Sequence, residues 1–225
     1  MGQYYLVANI DKKEYMISPD FVKLMEWSYN YNYNDLILEM ENHMAMDWKG
    51  DHIYVIGDYA GSGADCRYTE LLKEIEDKLN IDTERDSIFD RVFSEFKKLP
   101  VREGLKKYRY IVNHAAKEYI DNDHCPYKEN MGSWEENGKI LSATIAPLSL
   151  MLALGNGQGG GDYYAHNHEL VGSWAKDSSS LEITDVKPKS DYKELQPEFH
   201  EGKYIPYKKR PDIISKLKNR ESRQR

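Results

Sequence analysis

The sequence predicts an α+β protein built from two diverged copies of one hairpin–helix–strand unit, with antiparallel sheets and helices packed on one face. Two observations predict this fold class. Short segments rich in Tyr, Val and Ile alternate with segments of helical periodicity, and two blocks of the chain recur in the same order. The hydrophobic content of 40% supplies enough apolar surface for a buried core.

The first recurring block is a predicted hairpin. Residues 4–15 align without a gap with residues 108–119, and both blocks pass from an apolar run through an Asn-containing turn into Lys-Glu-Tyr. This pattern is typical of two short strands joined by a tight turn. The identical pairs are Tyr4/Tyr108, Asn9/Asn113, Lys13/Lys117, Glu14/Glu118 and Tyr15/Tyr119.

The second recurring block contains a Trp, an Asp and an alternating apolar run. Trp48 leads into residues 53–56, and Trp174 leads into residues 181–183. Each run alternates as a half-buried strand does, which predicts a third strand in each copy. Two readings of the recurring acids remain open, turn residues or two related acidic sites. These acids are Asp51, Asp58, Asp177 and Asp185.

Four other segments have the periodicity of helices. Residues 69–79 and 87–99 are amphipathic and predict surface helices, whereas residues 21–27 and the very apolar residues 141–154 predict one helix in each copy. Pro100 and Gly104 mark the boundary between the copies. The predicted parts are residues 1–100 (first unit with two trailing helices), 101–186 (second unit with a Gly-rich insertion) and 187–225 (extended arm and basic tail).

Several motifs together resemble those of a known family. They are the opening Met-Gly-Gln-Tyr-Tyr with Lys-Glu-Tyr at 13–15, Trp-x-Gly-Asp-x-Ile from Trp48 running into Gly-Asp-Tyr at 57–59, and the Gly-rich stretch before Val-Gly-Ser-Trp at 171–174. In patches, residues 1–185 resemble a family of uncharacterised bacterial and phage proteins. The resemblance implies a prokaryotic or phage cytoplasmic setting and no reaction type. In that family the Gly-rich stretch precedes the Trp-Gly-Asp motif, whereas here it precedes only the second copy.

Composition argues against several classes of protein. The chain has no apolar run of the 18–20 residues that span a bilayer and no secretory signal, so we expect no membrane partner and a cytoplasmic location. Cys66 and Cys125 stand apart without a Cys-x-x-Cys pattern, which predicts neither a disulfide scaffold nor a zinc site. Residues 201–225 carry nine basic and three acidic side chains, but the acidic remainder would repel phosphate, which argues against nucleic acid.

The Gly-rich segment is the predicted ligand-binding site, because the second copy has gained it and the first manages without it. Its residues are Gly157, Gly159, Gly160, Gly161 and Asp162, followed by His166 and His168. The segment is interpreted as a flexible connection after a helix or as a backbone nest for an anion. The two histidines are interpreted as acid–base groups or metal ligands, but spacing gives no third ligand and we predict no metal and no cofactor.

The function predicted from these features is that of a non-enzymatic binding protein, acting on a protein or a small molecule through Tyr-rich strands and the Gly-rich loop. The resemblance associates this with bacterial or phage conflict. The alternative is an enzyme or sensor that handles a phosphorylated small molecule through the same loop. The sequence assigns no catalytic residue and leaves the oligomeric state open.

Overall fold

The structure, a computed structural model, describes residues 3–18, 23–24, 35–63, 67–83, 85–102, 105–122, 134–136, 139–141, 146–164 and 168–195. The helices are α1 (Asp35–Ala45), α2 (Thr69–Leu79), α3 (Ile88–Glu95) and α4 (Pro147–Met151). The strands are β1 (Tyr5–Asn9), β2 (Glu14–Met16), β3 (Ile53–Gly57), β4 (Lys97–Lys98), β5 (Tyr110–Asn113), β6 (Glu118–Asp121), β7 (Trp134–Glu136), β8 (Lys139–Leu141), β9 (Ala153–Leu154), β10 (Leu181–Thr184) and β11 (Lys193–Leu195). Two short 3-10 helices cover His168–Leu170 and Ala175–Ser180.

The strands form two main sheets. The first sheet has the order β4-β2-β1-β3-β9, and the second has the order β10-β5-β6-β11. Strands β7 and β8 form a separate antiparallel pair. Sheets and helices in this mixture make the fold α+β, as predicted.

Four strands of the first sheet and all four of the second share their order, directions and register. In both, the hairpin strands and the third strand are antiparallel, and a short last strand runs parallel to the second hairpin strand. Val7 lies opposite Met16, as Ile111 lies opposite Ile120. The two sheets are therefore consistent with a duplicated unit.

The recurring Asn and Asp residues tie each hairpin to the turn before the third strand. The Asn9 amide donates to Asp51 Oδ2 at 2.8 Å, and the Asn113 amide donates to Asp177 Oδ2 at 3.2 Å. In both hairpins Asn also accepts backbone N–H bonds through Oδ1, the role that Asn plays in tight turns. Asp51 and Asp177 are thus structural residues.

The recurring Trp and Glu residues make a second tie. Trp48 Nε1 donates to Glu14 Oε2 at 2.9 Å, and Trp174 Nε1 donates to Glu118 Oε2 at 3.3 Å. Both indole rings are buried, so each needs a partner for its N–H. These ties explain why Lys-Glu-Tyr and Trp recur together.

The two units exchange elements. Strand β9 follows α4 in the second unit, yet it pairs in parallel with β3 of the first sheet, with Val55 opposite Ala153. Helix α1 of the first unit packs against β10 of the second sheet. The inner faces of both sheets, α1 and α4 share one hydrophobic core, whose members include Val7, Ile111 and Leu148.

Helices α2 and α3 cover the outer face of the first sheet. Leu72 of α2 and Val92 of α3 are fully buried in one cluster with Leu6, Tyr54 and Ile56 of the sheet. Ser87 is the N-cap residue of helix α3, and its Oγ accepts the N–H of Asp90. Helix α2 has the bounds that its amphipathic period predicts.

Two predicted helices need correction. The predicted buried helix over 141–154 is wrong, because Lys139–Leu141 is a strand and α4 covers only Pro147–Met151 before the chain extends into β9. Pro147 lies in the first turn of α4, where a backbone N–H has no partner within the helix, so the N–H that proline lacks costs no hydrogen bond. The predicted helix over 87–99 ends at Glu95.

The sequence did not predict helix α1 or the short strands β4, β7, β8, β9 and β11. Strands β4 and β11 are parallel edge strands, and β11 lies inside the predicted extended arm 187–225, where it pairs with β6. Helix α1 carries the fully buried Ile37 and Met40. The helix predicted over 21–27 lies outside the described residues apart from residues 23–24, and the basic tail lies outside them altogether.

Candidate functional site

The Gly-rich loop leaves the first sheet at β9 and folds back against the N-terminal segment. Gln3 donates its backbone N–H to the carbonyl of Gly160 at 2.8 Å. The side-chain amide of Asn156 bridges the two ends of the loop, accepting the N–H of Tyr163 at 2.6 Å and donating to its carbonyl at 2.9 Å. The loop is therefore a closed, internally bonded turn rather than an open connection.

The carboxylate of Asp162 occupies the backbone nest of this loop. Its Oδ2 accepts the N–H groups of Gly157, Gln158 and Gly159, each at 2.8 Å. Its Oδ1 accepts the hydroxyl of Tyr5 at 2.9 Å, and Asp162 is fully buried. Burial, reinforced by Asp162, raises the pKa of the Tyr5 phenol, so this hydroxyl stays a donor. The predicted anion nest exists, but the protein fills it with its own side chain.

The glycines of the loop serve close packing. Gly161 has φ +90°, and a Cβ there would lie 2.2 Å from the Lys23 side chain. A Cβ on Gly159 would lie 2.5 Å from Gln3 Cβ and 3.0 Å from the Tyr59 ring. Gly157 has φ +100° with open space around it. Larger residues would thus strain or displace the loop.

Three tyrosines and one acid lie at the surface of this loop. Tyr4 and Asp58 bond through their backbones, and Asp58 Oδ1 also accepts the Tyr4 N–H at 3.2 Å. The Tyr59 ring lies on Gly159, and the Tyr164 hydroxyl donates to the Gly159 carbonyl at 3.1 Å. The rings of Tyr4, Tyr59 and Tyr164 are 38%, 38% and 62% exposed. We call Asp58 with these three residues the tyrosine patch.

Asp58 carries a negative charge that nothing in the described chain neutralises. No Lys, Arg or His side chain of that part pairs with it, and its hydrogen-bond partner is a neutral backbone N–H. Burial raises the pKa of the Asp58 carboxyl, and the charges of Asp162 and Asp90 add to this effect. The Asp58 carboxylate therefore lacks a cationic partner in the described chain.

Of the two predicted histidines, the structure describes only His168. His166 lies outside the described residues. His168 starts a 3-10 helix, its side chain is 64% exposed, and its ring approaches Glu169 only to 4.0 Å. Arg67 reaches the carbonyls of Asn156 and His168 at 3.3 and 3.5 Å and holds this segment from outside. Of the predicted site residues, the four glycines and Asp162 come together.

A cleft of about 670 Å³ lies beside Arg67. The first turn of α2 and the segment from Gly172 to Lys176 form its walls, so it carries both signs of charge. Its floor is fixed, because Tyr68 donates its hydroxyl to the carbonyl of Val171 at 2.6 Å. Across the segments that the structure describes, no group of three His, Cys, Asp or Glu residues could hold a metal ion. None of the helices in those segments is long and apolar enough to cross a membrane.

Sequence reasoning missed the tyrosine patch, although Tyr4, Asp58 and Tyr59 belong to motifs that it quoted. Tyr4 and Asp58 come from the ends of β1 and β3, which the register sets side by side, whereas Tyr164 lies beyond the loop. The signal that could have found the patch is the Gly-Asp-Tyr at 57–59, an acid and an aromatic residue placed directly after a strand. Strand ends present such side chains together.

Comparisons with protein-family models, with curated proteins and with solved structures found no match to this chain. The resemblance to bacterial and phage proteins therefore stays a prediction.

Proposed function

We propose that the protein is a non-enzymatic binding protein that recognises a cationic group, the side chain of a Lys or Arg residue, at the tyrosine patch. The observation that carries the proposal is the unneutralised Asp58 carboxylate among three partly exposed aromatic rings. Aromatic faces attract cations, and a carboxylate beside them adds a direct ion pair. The resemblance adds a cytoplasmic setting in bacteria or phages and an association with their conflict.

The rigid loop supports this role. Asp162 and Asn156 fix the loop from inside, so the backbone under Tyr59 and Tyr164 is set before any ligand arrives. A preformed surface loses little conformational entropy on binding, and tyrosines supply contact area at low entropic cost. The surrounding charge also favours a cation, because the chain has a net charge of −7 although residues 201–225 are strongly basic.

The phosphate-handling alternative loses its main argument at this loop. An anion needs free N–H groups, and those of residues 157–159 already bond to Asp162. A phosphate would also approach Asp58 and Asp162, whose negative charges would repel it. The loop therefore favours the binding function over phosphate handling.

The test uses a defined basic probe. Binding of an oligo-lysine peptide to the full chain is measured by calorimetry, alongside the variants Asp58→Asn and Tyr164→Ala and the control Glu74→Gln. Glu74 is an exposed acid on α2 with no ion pair among the described residues, so it matches the charge change. We expect each patch variant to weaken binding about tenfold and Glu74→Gln to leave it unchanged. Equal losses in all three variants would show diffuse attraction and contradict the proposal.

A second arm separates two sources of the cation. The basic residues 201–225 of the chain itself could fill the patch, so the same titration is repeated after their removal. Tighter peptide binding by the shortened chain identifies the tail as a competitor, and unchanged binding assigns the patch to a partner protein. Native mass spectrometry of complexes purified with wild type and with Asp58→Asn then names that partner.

A further inference from the structure

The outer face of the second sheet differs from its counterpart in the first. In the first sheet, Ile10, Tyr54 and Ile56 are buried under α2 and α3. The hairpin alignment and the register of β10 place His114, Glu182 and Thr184 at the equivalent positions. At these three positions the apolar residues of the first sheet correspond to polar ones, whereas Tyr110, Val112 and Tyr119 of the same face form a small buried cluster.

The connection after the third strand explains the difference. Between β3 and β4 the chain forms α2 and α3, whereas residues 185–192 alone join β10 to β11. Within the described chain, no α-helix contributes to the apolar cluster on this face of the second sheet. The space left under the short connection is a cavity of about 350 Å³, within the range of small-molecule sites.

A hydrogen-bonded chain crosses the cavity. The Tyr192 hydroxyl lies 2.9 Å from His114 Nδ1, and His114 Nε2 lies 2.9 Å from Glu182 Oε2. Lys49 donates to the other oxygen of Glu182 at 2.9 Å. The imidazole is thus held from both nitrogens, and the Tyr192 ring meets it edge to face. Such bonding on both sides fixes the ring orientation.

Acids around the cavity each have their own cation. Glu182 pairs with Lys49, and hydrogen bonds from Lys49 and His114 lower the pKa of its carboxyl. Outside the cavity lining, Asp185 pairs with Lys106 at 2.7 Å and Asp191 pairs with Lys117 at 3.2 Å.

Two lysines of the lining form no ion pair among the described residues, although the hydrogen bond from Lys117 and the charge of Lys189 both lower the pKa of the Asp191 carboxyl. Lys187 and Lys189 have no ion pair or hydrogen bond from their ammonium groups anywhere in the described segments. Val112, Val186 and Pro188 complete the lining with apolar surface, and Val186 is 74% exposed. Unpaired cations beside an apolar wall suit a molecule with one charged end and a hydrocarbon part.

We propose that this cavity is a binding site for a small molecule that carries an oxyanion, a carboxylate or a phosphate monoester. Lys187 and Lys189 bind the anionic group, the apolar wall takes the carbon skeleton, and His114 presents a fixed polar edge. The site is independent of the tyrosine patch, which prefers the opposite charge.

The test is an NMR titration of the full chain with inorganic phosphate and, separately, with hexanoate. The readouts are the His114 ring resonances and the backbone amides of Thr184 and Val186. The double variant Lys187→Gln/Lys189→Gln removes these two positive charges, and the double variant Lys73→Gln/Lys98→Gln removes two exposed lysines elsewhere. All four lysines lie at the surface, so the variants keep the fold.

We expect saturable shifts at the cavity, a loss of affinity of at least tenfold in the Lys187/Lys189 variant and none in the control. Shifts with hexanoate alone identify a carboxylate ligand, and shifts with phosphate alone identify a phosphate ligand. No saturable shift with either probe, or equal losses in both double variants, would overturn the proposal. Because the tyrosine patch is tested with a cationic probe, failure at one site is distinguishable from failure at the other.

Discussion

The two sheets show what the same strand framework does with and without its helices. The first sheet has both faces buried, because α2 and α3 close its outer face with apolar side chains. The second sheet has one face in the shared core and an outer face with His114, Glu182 and Thr184, over which only a short connection passes. The covered sheet serves as structural support, whereas the outer face of the second sheet has room for the ligand proposed above. The same strand pairing is thus compatible with a covered face and with an open one.

The largest expected effect tests whether the two copies are held together in the same way. We expect Trp48→Ala and Trp174→Ala each to lower the free energy of unfolding by about 3–5 kcal/mol, since both indoles are buried and bonded to a Glu. The conservative changes Trp48→Phe and Trp174→Phe should cost less, because the ring volume is largely kept. Urea unfolding measures all four. If either Trp→Ala change leaves the free energy of unfolding unchanged, the Trp–Glu hydrogen bonds do not have equivalent roles in the two units.

An exchange of equivalent residues sharpens the contrast between the outer faces. Ile56 lies under the helices, and Thr184 lies at the same register position in the second sheet. Ile56→Thr buries a hydroxyl and removes apolar volume, so we expect a loss of about 2–3 kcal/mol. Thr184→Ile should change stability by less than about 0.5 kcal/mol, because the position is partly exposed. A similar cost for both, measured by thermal or urea unfolding, would show that the second face is closed too.

The Gly-rich loop has no counterpart in the first unit, and its glycines test whether it is framework or ligand loop. Gly161→Ala meets both a positive φ and the Lys23 side chain, so we expect a loss of about 2 kcal/mol. Gly63→Ala is the control, because a Cβ there meets nothing within 4 Å and its φ is ordinary. If Gly161→Ala unfolds like wild type in urea but binds more weakly, the loop serves the ligand directly.

The smallest expected effect concerns a charge cluster found in one hairpin only. Asp11 bonds to the backbone and ring of His52 and to Lys78, where the second hairpin has Ala115. Although burial alone would raise it, hydrogen bonds from Lys78 and His52 lower the pKa of Asp11 to about 2. A lowered pKa stabilises the fold fully above the unfolded value of about 4, and this stabilisation is lost as the pH falls toward 2.

The Asp11 carboxyl is partly exposed, so we expect only about 1–2 kcal/mol from it. Unfolding free energies of wild type and Asp11→Asn, measured from pH 5 to pH 2, should differ most at pH 5 and converge at pH 2. A difference that stays constant with pH would mean that Asp11 acts through its shape and not its charge.

Local patterns predicted the hairpins, the third strands and α2, because alternation and amphipathic period are recorded in consecutive residues. Strands β4 and β11 were not predicted, since Lys97–Lys98 and Lys193–Leu195 pair through their backbones and show no alternation of apolar and polar residues. The helix predicted over 141–154 was wrong because an apolar run suits a buried strand as well as a helix. Residues Ala153–Leu154 form a strand because they pair with β3, which is far away in sequence.

The candidate site shows the same division between local and distant information. The glycines pointed to a nest, but only the fold shows that Asp162 fills it and that Tyr5 completes the bonding. Whether Asp58, Lys187 and Lys189 form an ion pair depends on which residues the fold places beside them. No spacing along the chain records which partners are missing, so these sites needed the structure.

The exchange of β9 and α1 between the units has a consequence for synthesis on the ribosome. The edge of β3 receives its partner only when Ala153 and Leu154 have left the exit tunnel, and α1 waits still longer for β10. Until then the nascent first unit exposes a strand edge and an apolar helix face, the features that invite chaperones and aggregation. The same interlock makes the units complementary fragments: separately expressed halves, cut near Pro100, should be insoluble alone and soluble when co-expressed.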